Sequence, residues 1–333
     1  MNEERFADVT RGGYVESVHR IALCAVRADG TIVDQAGDIE SPVFLRSAAK
    51  PFIAAAAVEA GVVEQFGLEQ REIAVMAASH FGEPFHVEAV ESILRKIGLD
   101  ASALQCGTHP PYDERSAQAL RDAGIAPSAL HNNCSGKHAG ILALCLAIGA
   151  DTTTYLEAGN PAQQRILAFC SRMSDDDAVT WPVGVDGCGI PVYATSLRNG
   201  ALSFARLASL AGIASDDATA LRIVRDAMIA FPQYVAGTEQ FDTMLMVAGR
   251  GAILSKGGAE GVHAVAAIPT GIGFVAKVLD GSGRPRGPSS IAALRRINVL
   301  DASQERELAR FARPPVYNRA GNVVGEIVSR EGV

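Results

Sequence analysis

The stretch FLRSAAKPFIAAA, residues 44–56, marks a change of pattern along the chain. Before it, apolar residues alternate or run in short blocks. After it, they recur at three-to-four spacing. Proline lacks an N–H and clashes with the preceding turn, so Pro51 is tolerated only near the start of a helix. A helix therefore begins close to Ser47, with the alanine-rich run as its body. Residues three apart on a helix share a face, so Ser47 and Lys50 point the same way at the helix mouth. A hydroxyl and an amine so placed exchange a proton. The helix N-terminus favours the negative charge that develops. Serine is also a common N-cap and lysine an ordinary first-turn residue, so this S-x-x-K alone reads more often as a plain helix start.

Working outward, residues 14–36 read as a hairpin about the turn Asp29-Gly30. Helical patterns cover 49–60, 69–78, 84–97, 114–124, 137–149 and 160–173, then 201–212 and 217–231. After Phe241 the chain turns strand-like, with short β runs between glycine-rich turns. Helices near 288–296 and 303–311 and a strand at VVGEIVS close the chain. Strands at both ends with helices between them make the class α+β. The N- and C-terminal segments are expected to pair in one antiparallel sheet flanked by helices. Residues 1–46 and 181–333 then form a discontinuous sheet domain, and 47–180 a mostly helical region, with the active site between them.

Composition limits the function. A net charge of -7 leaves no basic stripe for nucleic acid. The opening MNEERFADVT has no basic region followed by an apolar one, and no apolar run reaches about 18 residues, so neither secretion nor a membrane is expected. The expected location is cytoplasmic. The six cysteines are spread through a long chain and are expected to be thiols. Cys24, Cys145 and Cys170 lie in apolar segments and read as core.

Two further stretches strengthen the serine–lysine reading. AASHFGEP, residues 77–84, puts Ser79 in a sharp break between two helices. ILSKGGAEGV, residues 253–262, puts Lys256 after a short strand and before two glycines. Serine hydrolases of the S-x-x-K type carry such elements in this order. The chemistry needs a neutral amine, and free lysine titrates near 10.4. Burial and a neighbouring cation both lower that value. Convergence of Lys50 and Lys256, with Arg46 close by, would leave one lysine able to take a serine proton.

A second polar loop stands apart. NNCSGKHAG, residues 132–140, leads into an apolar helix, and VDGCGIPVY, residues 185–193, holds Cys188 between glycines. Cys134 and Cys188 with a nitrogen from Lys137 or His138 suit zinc. The residues alone favour two inert thiols beside a polar loop.

RSAAKP, ASHFGEPFH, NNCSGKHAG, DGCGIP, KGGAEGV and GNVVGEI together carry a resemblance that spans nearly the whole chain. The sequence resembles the class 3 L-asparaginases, the Rhizobium etli-type or asparaginase II family. The resemblance implies hydrolysis of L-asparagine to L-aspartate and ammonia, on a fold like serine β-lactamases and glutaminases. It implies two Ser-Lys pairs, Ser47 with Lys50 and Ser79 with Lys256. It implies a zinc site of Cys134, Lys137 and Cys188 that supports substrate binding more than hydrolysis, which reverses the inert-thiol reading. Arg46, His138 and Asp186 match polar positions around the family's active site. It also implies a homodimer. The competing functions are a glutaminase or another small-amide amidohydrolase on the same scaffold, and a non-catalytic asparagine or zinc sensor. A β-lactamase or peptidase fits less well, because no secretion signal is read.

Overall fold

A computed structural model of the chain describes residues 5–330. The first four residues of MNEERFADVT and residues 331–333 of the expected sheet domain lie outside them. In chain order the strands are β1 (Arg5–Arg11), β2 (Tyr14–Arg27), β3 (Ile32–Ala36), β4 (Pro42–Phe44), β5 (Val183–Val185), β6 (Pro191–Ser196), β7 (Ile253–Gly257), β8 (Val262–Ala267), β9 (Ile272–Val278), β10 (Pro315–Tyr317) and β11 (Val323–Arg330). The chain divides into two compact units.

The first unit comprises Met1–Ala48, Thr195–Gly212 and Met244–Val333. It holds an eight-stranded antiparallel sheet in the order β10-β11-β1-β2-β9-β8-β7, with β3 also paired to β2. The N- and C-terminal segments therefore share one sheet, with Phe6 opposite Arg330 and Leu23 opposite Ala276. The run Ile21–Val26 in β2 is buried on both faces, which is why it reads as an unbroken apolar block rather than an alternation. The Leu197–Ser209 helix packs on β2, β8 and β9. A Cβ at Gly273 of β9 would lie 2.0 Å from Ala201 O, so only glycine allows that approach. Gly273 pairs with Ala266, whereas His263, out of phase with Ala266 in β8, hydrogen-bonds Ser290 of the Arg286–Arg296 helix at 2.8 Å. Side chains alternate along a strand, so the two helices cover opposite faces of the sheet.

The second unit comprises Ala49–Ala194 and Ile213–Thr243. Its centre is the Lys50–Glu59 helix, whose residues from Lys50 to Val58 are buried except Ile53. A helix apolar all round sits inside a bundle. The helices Ser135–Ile148, Pro161–Ser174 and Ser215–Ala230 surround it. Pro51 stands in its first turn, as expected. Ser47 lies in the preceding 3-10 turn, Arg46–Ala49.

Two readings of elements change. Phe241–Gly249 is a helix, not a strand. Its Met, Leu and Ala residues are good helix formers, and a short apolar block does not reveal its period. The helix expected at 201–212 begins four residues earlier at Leu197, capped by Ser196 Oγ accepting from Asn199 N at 3.0 Å. Among the described residues, no helix is long and apolar enough to cross a membrane.

Candidate active site

A cluster of lysine, serine and cysteine side chains lies within the second unit. Lys50, the first residue of its helix, is 1% exposed. Its Nζ donates to Ala78 O at 2.5 Å, reaches Ser79 Oγ at 3.0 Å and Cys134 Sγ at 3.2 Å, and lies 3.4 Å from Asn133 O. Ser79 stands in the break after the Gln70–Met76 helix. Cys134 immediately precedes the Ser135–Ile148 helix. The two helices meet there backbone to backbone, since a Cβ at Gly136 would lie 2.2 Å from Val75 O. This contact sets the Ser79 break beside the cysteine loop. His80 clasps the same junction. Its Nδ1 accepts from Gly82 N, so its Nε2 carries the proton and donates to Ser135 Oγ at 2.8 Å. Ser135 Oγ in turn donates to Leu130 O at 2.9 Å.

The opposite wall comes from the hairpin of β5 and β6. Its connection carries Asp186 and buried Cys188. Lys137, also 1% exposed, donates from Nζ to Cys188 Sγ at 2.9 Å. Cys188 and Cys134 interact electrostatically, the first raised and the second lowered. Two sulfurs and two amines therefore form one buried chain, from Lys50 through Cys134 and Cys188 to Lys137.

The electrostatics assign protons along that chain. Burial pushes the Lys50 amine below its ordinary value, and nearby Lys137 adds to the effect against the pull of Cys134. Cys134 is held well below the usual thiol range by Cys188, with Lys137 and Lys50 adding to it against burial. Cys188 is pushed up by Cys134 and by its burial. Burial alone would lower Lys137, but Cys134, Cys188 and Asp186 outweigh it and raise the amine. The favoured state is a Cys134 thiolate, a Cys188 thiol and a charged Lys137, with Lys50 the easiest amine to deprotonate.

The remaining expected residues fall as follows. Ser47 is half-buried and directly follows Arg46, whose φ of 52° is left-handed. Such a conformation costs energy for a residue with a side chain. Lys256 is fully buried in β7 and donates to Gly257 O at 2.8 Å. Asp186 is half-buried and accepts from Gly187 N at 2.8 Å. His138 is fully buried, with Nδ1 2.7 Å from Tyr155 Oη. Sequence reasoning gave no role to His80, although it adjoins Ser79. It also passed over Tyr155, which sits in a polar stretch with no motif to mark it.

The donor set Cys134, Lys137 and Cys188 fits zinc. Lys137 Nζ and Cys188 Sγ lie 2.9 Å apart, Cys134 interacts electrostatically with both and is already held toward its thiolate, and Cys188 and Lys137 would each give up a proton to the metal. Among the described residues, no group of three or more His, Cys, Asp or Glu forms a site of the usual kind.

The sequence model of the L-asparaginase II family matches residues 7–329. The chain belongs to the L-asparaginase II family. The family places it among the asparaginase-type amidohydrolases. No curated protein sequence shows a significant match. Among solved structures, Mglu is 17% identical over 85% of this chain and 68% of its own, with a TM-score of 0.38. Mglu in 4.3 M NaCl is 18% identical over 84% of this chain and 60% of its own, with a TM-score of 0.37. A candidate β-lactamase from Bacteroides dorei DSM 17855 is 14% identical over 84% of this chain and 93% of its own, with a TM-score of 0.43. The family member described here thus spans less than two thirds of the second Mglu chain.

Proposed function

We propose that this chain hydrolyses L-asparagine to L-aspartate and ammonia through an acyl-enzyme on Ser79, with Lys50 as its general base. The observation that carries the reading is the 3.0 Å contact between Ser79 Oγ and a fully buried, downshifted Lys50 amine. A neutral amine has two N–H donors and one lone pair. Ala78 O and either Asn133 O or Cys134 take the donors, which leaves the lone pair for the serine proton. Ser79 Oγ attacks the amide carbon and Lys50 takes its proton. The amine returns that proton to the departing nitrogen as the C–N bond breaks. Water then hydrolyses the ester by the same route.

A guanidinium matches a carboxylate, so Arg46 suits the substrate α-carboxylate and Asp186 its α-ammonium. Lys256 is a further proton carrier by family resemblance. Zinc, when bound by Cys134, Lys137 and Cys188, supplies a fixed positive charge near the substrate. A homodimer and a cytoplasmic location belong to the same reading.

A second assignment makes Ser47 the nucleophile, again with Lys50 as base. The left-handed Arg46 beside it favours this, since strained backbone gathers at functional positions. Trapping with an electrophilic asparagine analogue, followed by peptide mapping, separates the two. Label on Ser79 is expected, and label on Ser47 overturns the assignment. Ammonia released mainly from glutamine would keep the serine chemistry and change the substrate. Asparagine binding without turnover would mark a sensor.

A further inference from the structure

We infer that the segment 233–238 is a brace that fixes Ser79 in place, and that Glu83 and Thr238 are the positioning residues that clasp it. The part Ser79 plays in asparagine hydrolysis rests on the reading proposed above, but the brace does not.

The brace begins in the short helical turn Pro232–Val235. The last carbonyls of a helix have no partner within it. Here the Ser79 turn and the helix after it supply the donors. Ser79 N–H donates to Val235 O at 2.9 Å, and Phe81 N–H donates to Ala236 O at 2.8 Å. His86, in the Pro84–Lys96 helix, adds a third bond. Its Nδ1 accepts from Glu83 N, so its Nε2 carries the proton and donates to Gln233 O at 2.9 Å. Thr243 ties the brace to the Phe241–Gly249 helix, its hydroxyl donating to Gly237 O at 2.7 Å. Glu83 closes the arrangement. Its two carboxylate oxygens accept from Thr238 N at 2.6 Å and from Thr238 Oγ1 at 2.7 Å. Hydrogen bonds to an ionised acceptor are the stronger kind, and two from one residue also set its orientation. A Cβ at Gly237 would lie 2.8 Å from Glu83 Oε1 and 3.0 Å from Phe81 Cβ, so the two segments meet through a residue without a side chain. Glu239, next to Thr238, has a left-handed φ of 62°. Such backbone persists where its surroundings over-determine it.

The consequence falls on Ser79. It stands between the Gln70–Met76 and Pro84–Lys96 helices, so no helical ladder holds its backbone. Yet its Oγ must stay 3.0 Å from Lys50 Nζ to pass on a proton. The bond to Val235 O supplies the missing anchor on one side, and His80 N–H donating to Asn133 O at 3.2 Å supplies it on the other. The Ser79 N–H is therefore engaged as an anchor of the turn. Glu83 and Thr238 act on Ser79 through this ladder. Thr238 is exposed and Glu83 half-buried, so their clasp can be removed without opening the core.

The test uses the full chain and two independent variants, Glu83→Ala and Thr238→Val, with Glu83→Gln as the conservative one. Glutamine keeps an acceptor for Thr238 N–H and an amide to pair with the hydroxyl. Amide hydrogen exchange over residues 79–81, read by peptide mass spectrometry without substrate, is expected to be about tenfold faster in the Ala and Val variants, the size of one net hydrogen bond lost. In Glu83→Gln it stays near the wild-type rate. In the first two variants kcat for asparagine falls about 10–100-fold, as a displacement of about 1 Å at a reacting group produces. KM changes little, and Glu83→Gln restores most of the loss. Labelling of Ser79 by an electrophilic asparagine analogue slows in parallel, whereas a merely structural role lowers Tm and leaves the labelling rate of the folded protein unchanged. Unchanged exchange over 79–81 in both variants overturns the brace. Unchanged kcat, with or without a raised KM, in an enzyme labelled on Ser79 overturns the positioning role. If the label falls on Ser47, or the wild type releases no ammonia, the functional reading fails and the exchange rates alone decide the brace.

Discussion

The chemistry turns on Lys50, an amine enclosed by Ala78 O, Ser79 and Cys134. Its downshift has a sign that can be checked. The base must be neutral, so asparagine turnover falls as pH drops through the Lys50 value, which burial lowers from that of a free lysine. A pH–rate profile with no acid limb contradicts this. Lys50→Ala removes the base and should lower kcat by about 10²–10⁴, measured on protein whose fold is verified by circular dichroism. Cys134 and Cys188 make a separate prediction. Elemental analysis of chelator-free protein should find zinc, and Cys134→Ala or Cys188→Ala should lose it. Full activity in metal-free protein would remove zinc from the account.

At the scale of elements, the site depends on how the Ser135–Ile148 helix seats on the Gln70–Met76 helix. Gly136→Ala would press a methyl to 2.2 Å from Val75 O, so the helices must part. Overpacking of this kind costs about 1–3 kcal/mol or more, and the same movement carries Cys134 away from Lys50. Thermal unfolding and kcat should therefore fall together, and a variant as active as the wild type contradicts the seating. Much at this scale was legible beforehand. Pro51 fixed the start of the Lys50–Glu59 helix, and Asp29-Gly30 marked the turn between β2 and β3. Less legible was what depends on partners distant in the chain. β1 and β10 are short and mixed in polarity, and their pairing with β11 makes them strands. The sequence placed Ser47 and Lys50 on one face, yet the acceptors around Lys50 include Ser79, brought by a contact that only a glycine permits.

At the scale of the whole molecule, β11 pairs with β1, so the last strand completes the sheet that the first one opens. A chain truncated after Ala312 loses β10 and β11 and bares the edge of β1. Unpaired edges template association, so the truncated protein should aggregate or lose cooperative unfolding. A monomeric truncated form with an unchanged Tm would contradict that dependence. The net charge of -7 argues in turn against nucleic acid as a partner.

The most direct measurement of the central claim is ammonia release from L-asparagine and L-glutamine by the wild type and by Ser79→Ala. The account predicts rapid release from asparagine, little from glutamine, and loss of the asparagine reaction in Ser79→Ala. No release from asparagine by the wild type, or undiminished release by Ser79→Ala, would contradict it.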